Sequence, residues 1–148
     1  GISIPYGNYA LDEGTAKSMG DNAEGIYIVA SYLSSLETDA NKAFLEAIEK
    51  KFGSSAETPN EFSVPQYEAI YAYAAAVEKA GSTDSAAVVQ ALGEVTVEGP
   101  RGSVIMNKQR HASLNMYLGR VAADGSVQLV ESFPKVDPGE QCPQFANM

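Results

Sequence analysis

Tyrosine is the residue type whose number and placement here best suit a binding site: eight tyrosines and no tryptophan stand in 148 residues. Tyr6, Tyr9, Tyr27 and Tyr32 cluster near the ends of two apolar runs, and open α/β sheets gather their ligands at strand ends. A tyrosine placed there offers a flat apolar wall and a hydroxyl that can bond a small polar ligand. Tyr27 falls inside its run and reads as core, as do Tyr67, Tyr71 and Tyr73; for Tyr9 and Tyr32, packing and ligand contact are equal readings. Other chemistries lack their parts. His111 is the single histidine, too few for a histidine zinc site, and it follows the polar stretch Asn107-Lys108-Gln109-Arg110, as a surface residue would. Cys142, also single, has no basic neighbour in sequence to lower its pKa; it is either a reactive thiol or the partner of a cysteine elsewhere. Glu37 with Asp39, and Glu57 with Glu61, lie near loops and helix starts, where solvated or dipole-related charge accounts for them. No phosphate loop, dinucleotide fingerprint, nucleophile elbow or zinc-protease helix occurs. No catalytic residue, metal or cofactor is therefore expected, and no enzyme.

Ten basic against nineteen acidic residues give a formal net charge of −9. Phosphate neutralisation needs a basic face, so nucleic acid is excluded as a partner, and so is an anionic membrane surface. A composition 45% hydrophobic and 20% charged predicts a folded core and room for one domain. No run approaches the roughly 18 apolar residues of a membrane span. No charged-then-apolar leader is visible at Gly1, which leaves the compartment open. Ile2-Ser3-Ile4-Pro5 already reads as strand, and a start in mid-element is expected of a piece of a longer protein.

The pattern along the chain predicts mixed α and β elements. A short strand ends near Tyr6, and a short helix spans Leu11 to Met19. Gly25 to Ala30 is a continuous β-branched and aromatic run, suited to a strand covered on both faces in a parallel sheet. Thr38 is placed to cap a helix carrying Phe44, Leu45, Ile48 and Phe52, closed by Gly53. Ser63 and Gln66 have capping-box spacing, with Pro65 in the first turn. The helix that follows, to Ala80, is apolar nearly all round, which predicts that it is sandwiched inside the protein. Gly81 closes it, and Thr83 or Asp84 caps a further helix ending near Gly93. Beyond that the texture is β: a short strand from Ser103 to Met106, then Leu114–Ala122 and Val127–Phe133 as a hairpin about Asp124-Gly125. The tail from Pro134 is expected to be extended.

Several of these segments together resemble the type I periplasmic binding proteins of ABC transporters. The residues that carry the likeness are Asn22-Ala23-Glu24-Gly25-Ile26-Tyr27-Ile28-Val29-Ala30-Ser31-Tyr32, then Ser34 to Thr38 and Asn41 to Phe44. Glu68-Ala69-Ile70-Tyr71, running into Ala76 to Asp84, is similar to the long helix of that family and its exit turn. Gly99-Pro100-Arg101-Gly102 and the hairpin from Leu118 to Gly125 are similar to its closing segment. The branch that binds urea, short amides and branched-chain amino acids is the best match.

The resemblance implies an α/β fold, part of a two-lobed structure of three-layer α/β/α lobes with a C-terminal β-hairpin, and it implies that this chain is the C-terminal part. Residues 1–30 would belong to the second lobe, 31–113 would hold the hinge crossing and first-lobe helices, and 114–148 would return to the second lobe as hairpin and tail. It further implies that Asn8 and Tyr9 face the ligand cleft and that Tyr32 stands at the hinge. A contact is implied near Val64, where no aromatic ring occurs. The implied function is periplasmic capture of a small polar metabolite by lobe closure and its delivery to an ABC permease, with no cofactor. A ligand-sensing regulator or receptor domain of the same fold is the alternative. Faces that would cover the missing N-terminal half, around Phe44, Ile48 and Tyr67 to Val77, are expected to be exposed and to drive self-association.

Overall fold

The computed structural model describes residues 5–107 and 110–139. The expectations for Gly1 to Ile4, Cys142 and Pro143 lie outside the described residues. In chain order the elements are β1 (Gly7–Asn8), α1 (Glu13–Met19), β2 (Tyr27–Ala30), α2 (Asp39–Phe52), α3 (Ser63–Ala80), α4 (Ser85–Leu92), β3 (Thr96–Gly99), β4 (Gly102–Ile105), β5 (Leu114–Val121) and β6 (Val127–Val136). The fold is α/β, as expected.

Local chemistry sets most of the boundaries. Asp12 caps α1 by accepting from the Thr15 N–H, Thr38 caps α2 through Asn41 N, and Asp84 caps α4 through the N–H groups of Ala86 and Ala87, each offsetting donors that the first helical turn leaves unpaired. Gly81 ends α3 in the left-handed conformation, which lacks a Cβ penalty only for glycine. The capping box predicted at Ser63 and Gln66 does not form. Asn60 replaces it, its Oδ1 accepting from the N–H groups of Phe62 and Ser63, while Gln66 Nε2 donates to the Phe62 carbonyl. An asparagine just before the helix reaches the free donors with a shorter lever than the box requires.

The main sheet has the order β1-β2-β5-β6, with a separate hairpin of β3 and β4. β1 runs parallel to β2, but β5 pairs antiparallel with β2 and β6 antiparallel with β5. The expectation of a parallel sheet therefore holds on one side of β2 only. One face of the sheet is packed: Ile28, Ala30, Tyr117, Val121 and Val127 join Leu11, Ala16, Ala23, Tyr32, Leu33 and Leu36 in a continuous core. The other face is open at Val29, 45% exposed, so the reading of a strand covered on both faces is corrected. A second, smaller core lies between α3 and α4, around Ala76, Val88 and Ala91. Outermost in the main sheet is β6, ten residues long, with Leu129, Val130, Phe133 and Val136 exposed. The strand runs on through Pro134, where an extended tail was expected, and Lys135 takes a positive φ of 51°.

α3 also departs from expectation. Val64, Glu68, Ala72 and Ala76 are buried, whereas Tyr67, Tyr71, Tyr73 and Ile70, the last 70% exposed, face solvent. Among the described residues the fullest packing of α3 is toward α4 and β3, with Val64 in the main core and Phe44 of α2 against the Tyr67 ring. The apolar surround of the helix is as read from the sequence, but Ile70, Tyr71 and Tyr73 lack the cover expected of a sandwiched helix. No helix among them is long and apolar enough to cross a membrane.

Candidate ligand-binding site

Because β1 and β2 are parallel, their carboxyl ends open on the same side of the sheet, the side on which α/β folds place ligands. The loop leaving β1 carries two of the three residues singled out from the sequence. Asn8 is half-buried, with its Oδ1 accepting from the Ala10 N–H at 2.8 Å and its Nδ2 reaching the Tyr6 hydroxyl at 3.5 Å. That side chain thus shapes the loop that presents Tyr9, which is 81% exposed. Asn8 and Tyr9 are brought together with Tyr6 as a free aromatic rim.

Tyr32 lies just beyond the carboxyl end of the neighbouring strand β2 and is placed differently. Its ring is 1% exposed, and its hydroxyl donates to Asn41 Oδ1 at 2.8 Å. Asn41 in turn donates through Nδ2 to the carbonyls of Ser34 and Leu36. Burial, with the charges of Glu13 and Glu68 adding to it, pushes the Tyr32 hydroxyl well above the ordinary tyrosine range. Val64 is fully buried, and His111 is exposed.

Around Tyr32, the segment 31–38, which carries the chain from β2 to α2, has neither helix nor strand. Several of its polar groups are nevertheless met by buried or half-buried side chains. Glu61 Oε2 accepts from the N–H groups of Ser31 and Tyr32 at 2.8 and 2.9 Å, and Ser31 Oγ lies 3.0 Å from each Glu61 carboxylate oxygen. Arg101 Nη1 donates to the same Oγ at 3.0 Å. Arg101 Nε pairs with Glu68 Oε2 at 2.6 Å, and the Arg101 N–H donates to Glu68 Oε1. On the other flank, Glu13 Oε2 accepts from Ser34 N. A Cβ at position 99 would run into the Glu68 carboxyl group, so Gly99 lets the β3–β4 turn close over that carboxylate.

The sequence alone does not reveal this charged cluster: there Glu68, Gly99 and Arg101 are only parts of a resemblance, and Glu61 reads as solvated charge. Glu61 is instead half-buried and bonded to backbone, which corrects that reading. The one signal in the sequence was Glu68 standing in an otherwise apolar stretch of helix. Among the described residues no group of His, Cys, Asp and Glu is placed to hold a metal ion. The arrangement suits recognition: an exposed aromatic and amide rim on one strand end, beside a rigidly held crossing on the next.

Comparison with known proteins agrees with that class. The periplasmic binding protein family matches residues 1–126, and the chain belongs to it. It is similar to the Leu/Ile/Val-binding protein homolog 6 of Brucella abortus, with 31% identity over 146 residues, covering 94% of this chain and 37% of that protein. In structure it is similar to a solute-binding protein of an ABC transporter from R. palustris in complex with benzoate, at a TM-score of 0.77 and 24% identity, over 95% of this chain and 39% of that one. A solute-binding protein from Rhodopseudomonas palustris BisB5 in complex with 3,4-dihydroxybenzoic acid superimposes at a TM-score of 0.74, with 28% identity over 86% of this chain and 36% of that chain. The chain thus spans a little over a third of the length of these relatives.

Proposed function

We propose that this chain is the C-terminal part of the substrate-binding component of an ABC importer, which holds a small solute by closure of two lobes and delivers it to a membrane permease from the periplasm. The observation that carries this reading is the exposed Tyr9, presented by Asn8 at the carboxyl end of β1 next to the crossing into α2. Tyr9 supplies the apolar wall and Asn8 the hydrogen-bonding amide; Tyr32, enclosed at the crossing, acts on the geometry of the hinge and not on the solute directly. Contacts from both lobes would favour the closed state by their greater affinity for it. The role is capture without chemical change.

The relatives' ligands, by their names, include branched-chain amino acids and benzoic acids. A small carboxylic acid with an apolar body is therefore the ligand class favoured, with urea and short amides as the next candidates. Calorimetric titration of the full-length gene product with leucine, valine, benzoate, 4-hydroxybenzoate, urea and acetamide tests this. Binding of at least one, weakened about tenfold or more by Tyr9→Ala, is expected. Binding to none of them, or a Tyr9→Ala protein with unchanged affinity, would overturn it.

A further inference from the structure

The backbone of the crossing poses an accounting problem. The last ladder pair of β2 is Ala30 with Tyr117, so the N–H groups of Ser31 and Tyr32 leave the sheet without strand partners, and both residues are buried. Buried N–H groups must find acceptors. Both find the same one, Glu61 Oε2, a charged oxygen that binds donors more strongly than a carbonyl does. Glu61 stands before α3, Arg101 between β3 and β4, and Glu68 within α3, so a single connected network ties the strand exit to elements 29 to 70 residues away in sequence. A segment free to swivel would not be anchored in this way by both Glu61 and Arg101.

We propose that Glu61 is a positioning residue that splints the crossing, holding the Ser31 and Tyr32 amides directly and, through Ser31 Oγ, locking them to the Arg101–Glu68 pair, so that this connection is a preset corner and not a loose tether. What the corner serves rests on the binding reading above: it fixes where the Asn8–Tyr9 loop stands relative to α2 and α3. Both amides point at one oxygen, so a glutamine carbonyl at position 61 can replace it while an alanine cannot.

The test uses the 148-residue chain and no ligand, so its outcome is independent of whether the solute class is right. In the unaltered chain, amide hydrogen exchange at Ser31 and Tyr32 is expected to be as slow as at the sheet amides of Tyr27 and Val121, on the order of 100-fold or more below that of an open loop. Glu61→Ala should release the two amides selectively and widen the distance distribution between spin labels at positions 49 and 131, set on a Cys142→Ser background; Glu61→Gln should restore both. Loop-like exchange at Ser31 and Tyr32 in the unaltered chain overturns the proposal, a result that needs no variant to fold. So does a folded Glu61→Ala chain with exchange and distances unchanged.

Discussion

Glu68 and Arg101 are each the other's main compensation, with only 4% and 10% of their side chains exposed. Removing one partner strands a charge that is costly to leave without water. Glu68→Ala is expected to lower unfolding free energy by about 3–5 kcal/mol, read by urea denaturation, and Gly99→Ala should move in the same direction because its methyl group displaces that carboxylate. Tyr32 gives a pH prediction. Its hydroxyl ionises at higher pH in the folded chain than in the unfolded one. The neutral form therefore stabilises the fold fully below the ordinary tyrosine pKa of about 10, and that stability is lost as pH rises beyond it. Tyr32→Phe should flatten this alkaline loss. At neutral pH it should cost about 1–3 kcal/mol, since Asn41 Oδ1 would lose its donor. Denaturant melts from pH 8 to 11 separate the two effects.

At the scale of elements, caps and periodicity were legible because their causes are local. Thr38, Asp84, Gly53 and Gly81 bound their helices as read, and Asp84→Ala is expected to cost about 1 kcal/mol in a thermal melt, since α4 has only eight residues to share the loss. The hairpin about Asp124-Gly125 was equally plain, with Gly125 at a φ of 78°. What was not legible depends on distant partners. β3 went unnoticed because Thr96 to Gly99 is too short to show a period and becomes a strand only by pairing with β4. The direction of β5 beside β2 has no signature in either segment. The site divides in the same way: Asn8 and Tyr9 can be picked out as a strand-end loop, whereas Glu61 and Arg101 look like ordinary surface charges, and Ser31 like a loop serine, until the fold assembles them with Glu68.

At the scale of the whole molecule, the described residues form two cores, and exposed apolar side chains stand on the sheet and helices that build them. Phe44, Tyr67 and Tyr71 form a run of rings with centroids 4.9 Å apart, continued by exposed Ile70 and Phe52. Apolar ground of this kind drives association. The isolated 148-residue chain is expected to elute as dimers or larger species in size-exclusion chromatography with light scattering, and Ile70→Asp combined with Tyr71→Ser should shift it toward monomer. A monomer at all concentrations without those changes would refute this.

The outer strand β6 bears on the form that such association takes. Among the described residues no strand pairs with its outer side, the kind of edge on which cross-β fibrils grow. Pro134 brings no amide donor to that strand, and the backward twist at Lys135 adds a kink topped by a positive charge, devices that deter strand-by-strand stacking. Sticky helices with a blunted margin should yield soluble oligomers in preference to amyloid, a balance that Pro134→Val would tip toward thioflavin-positive fibres.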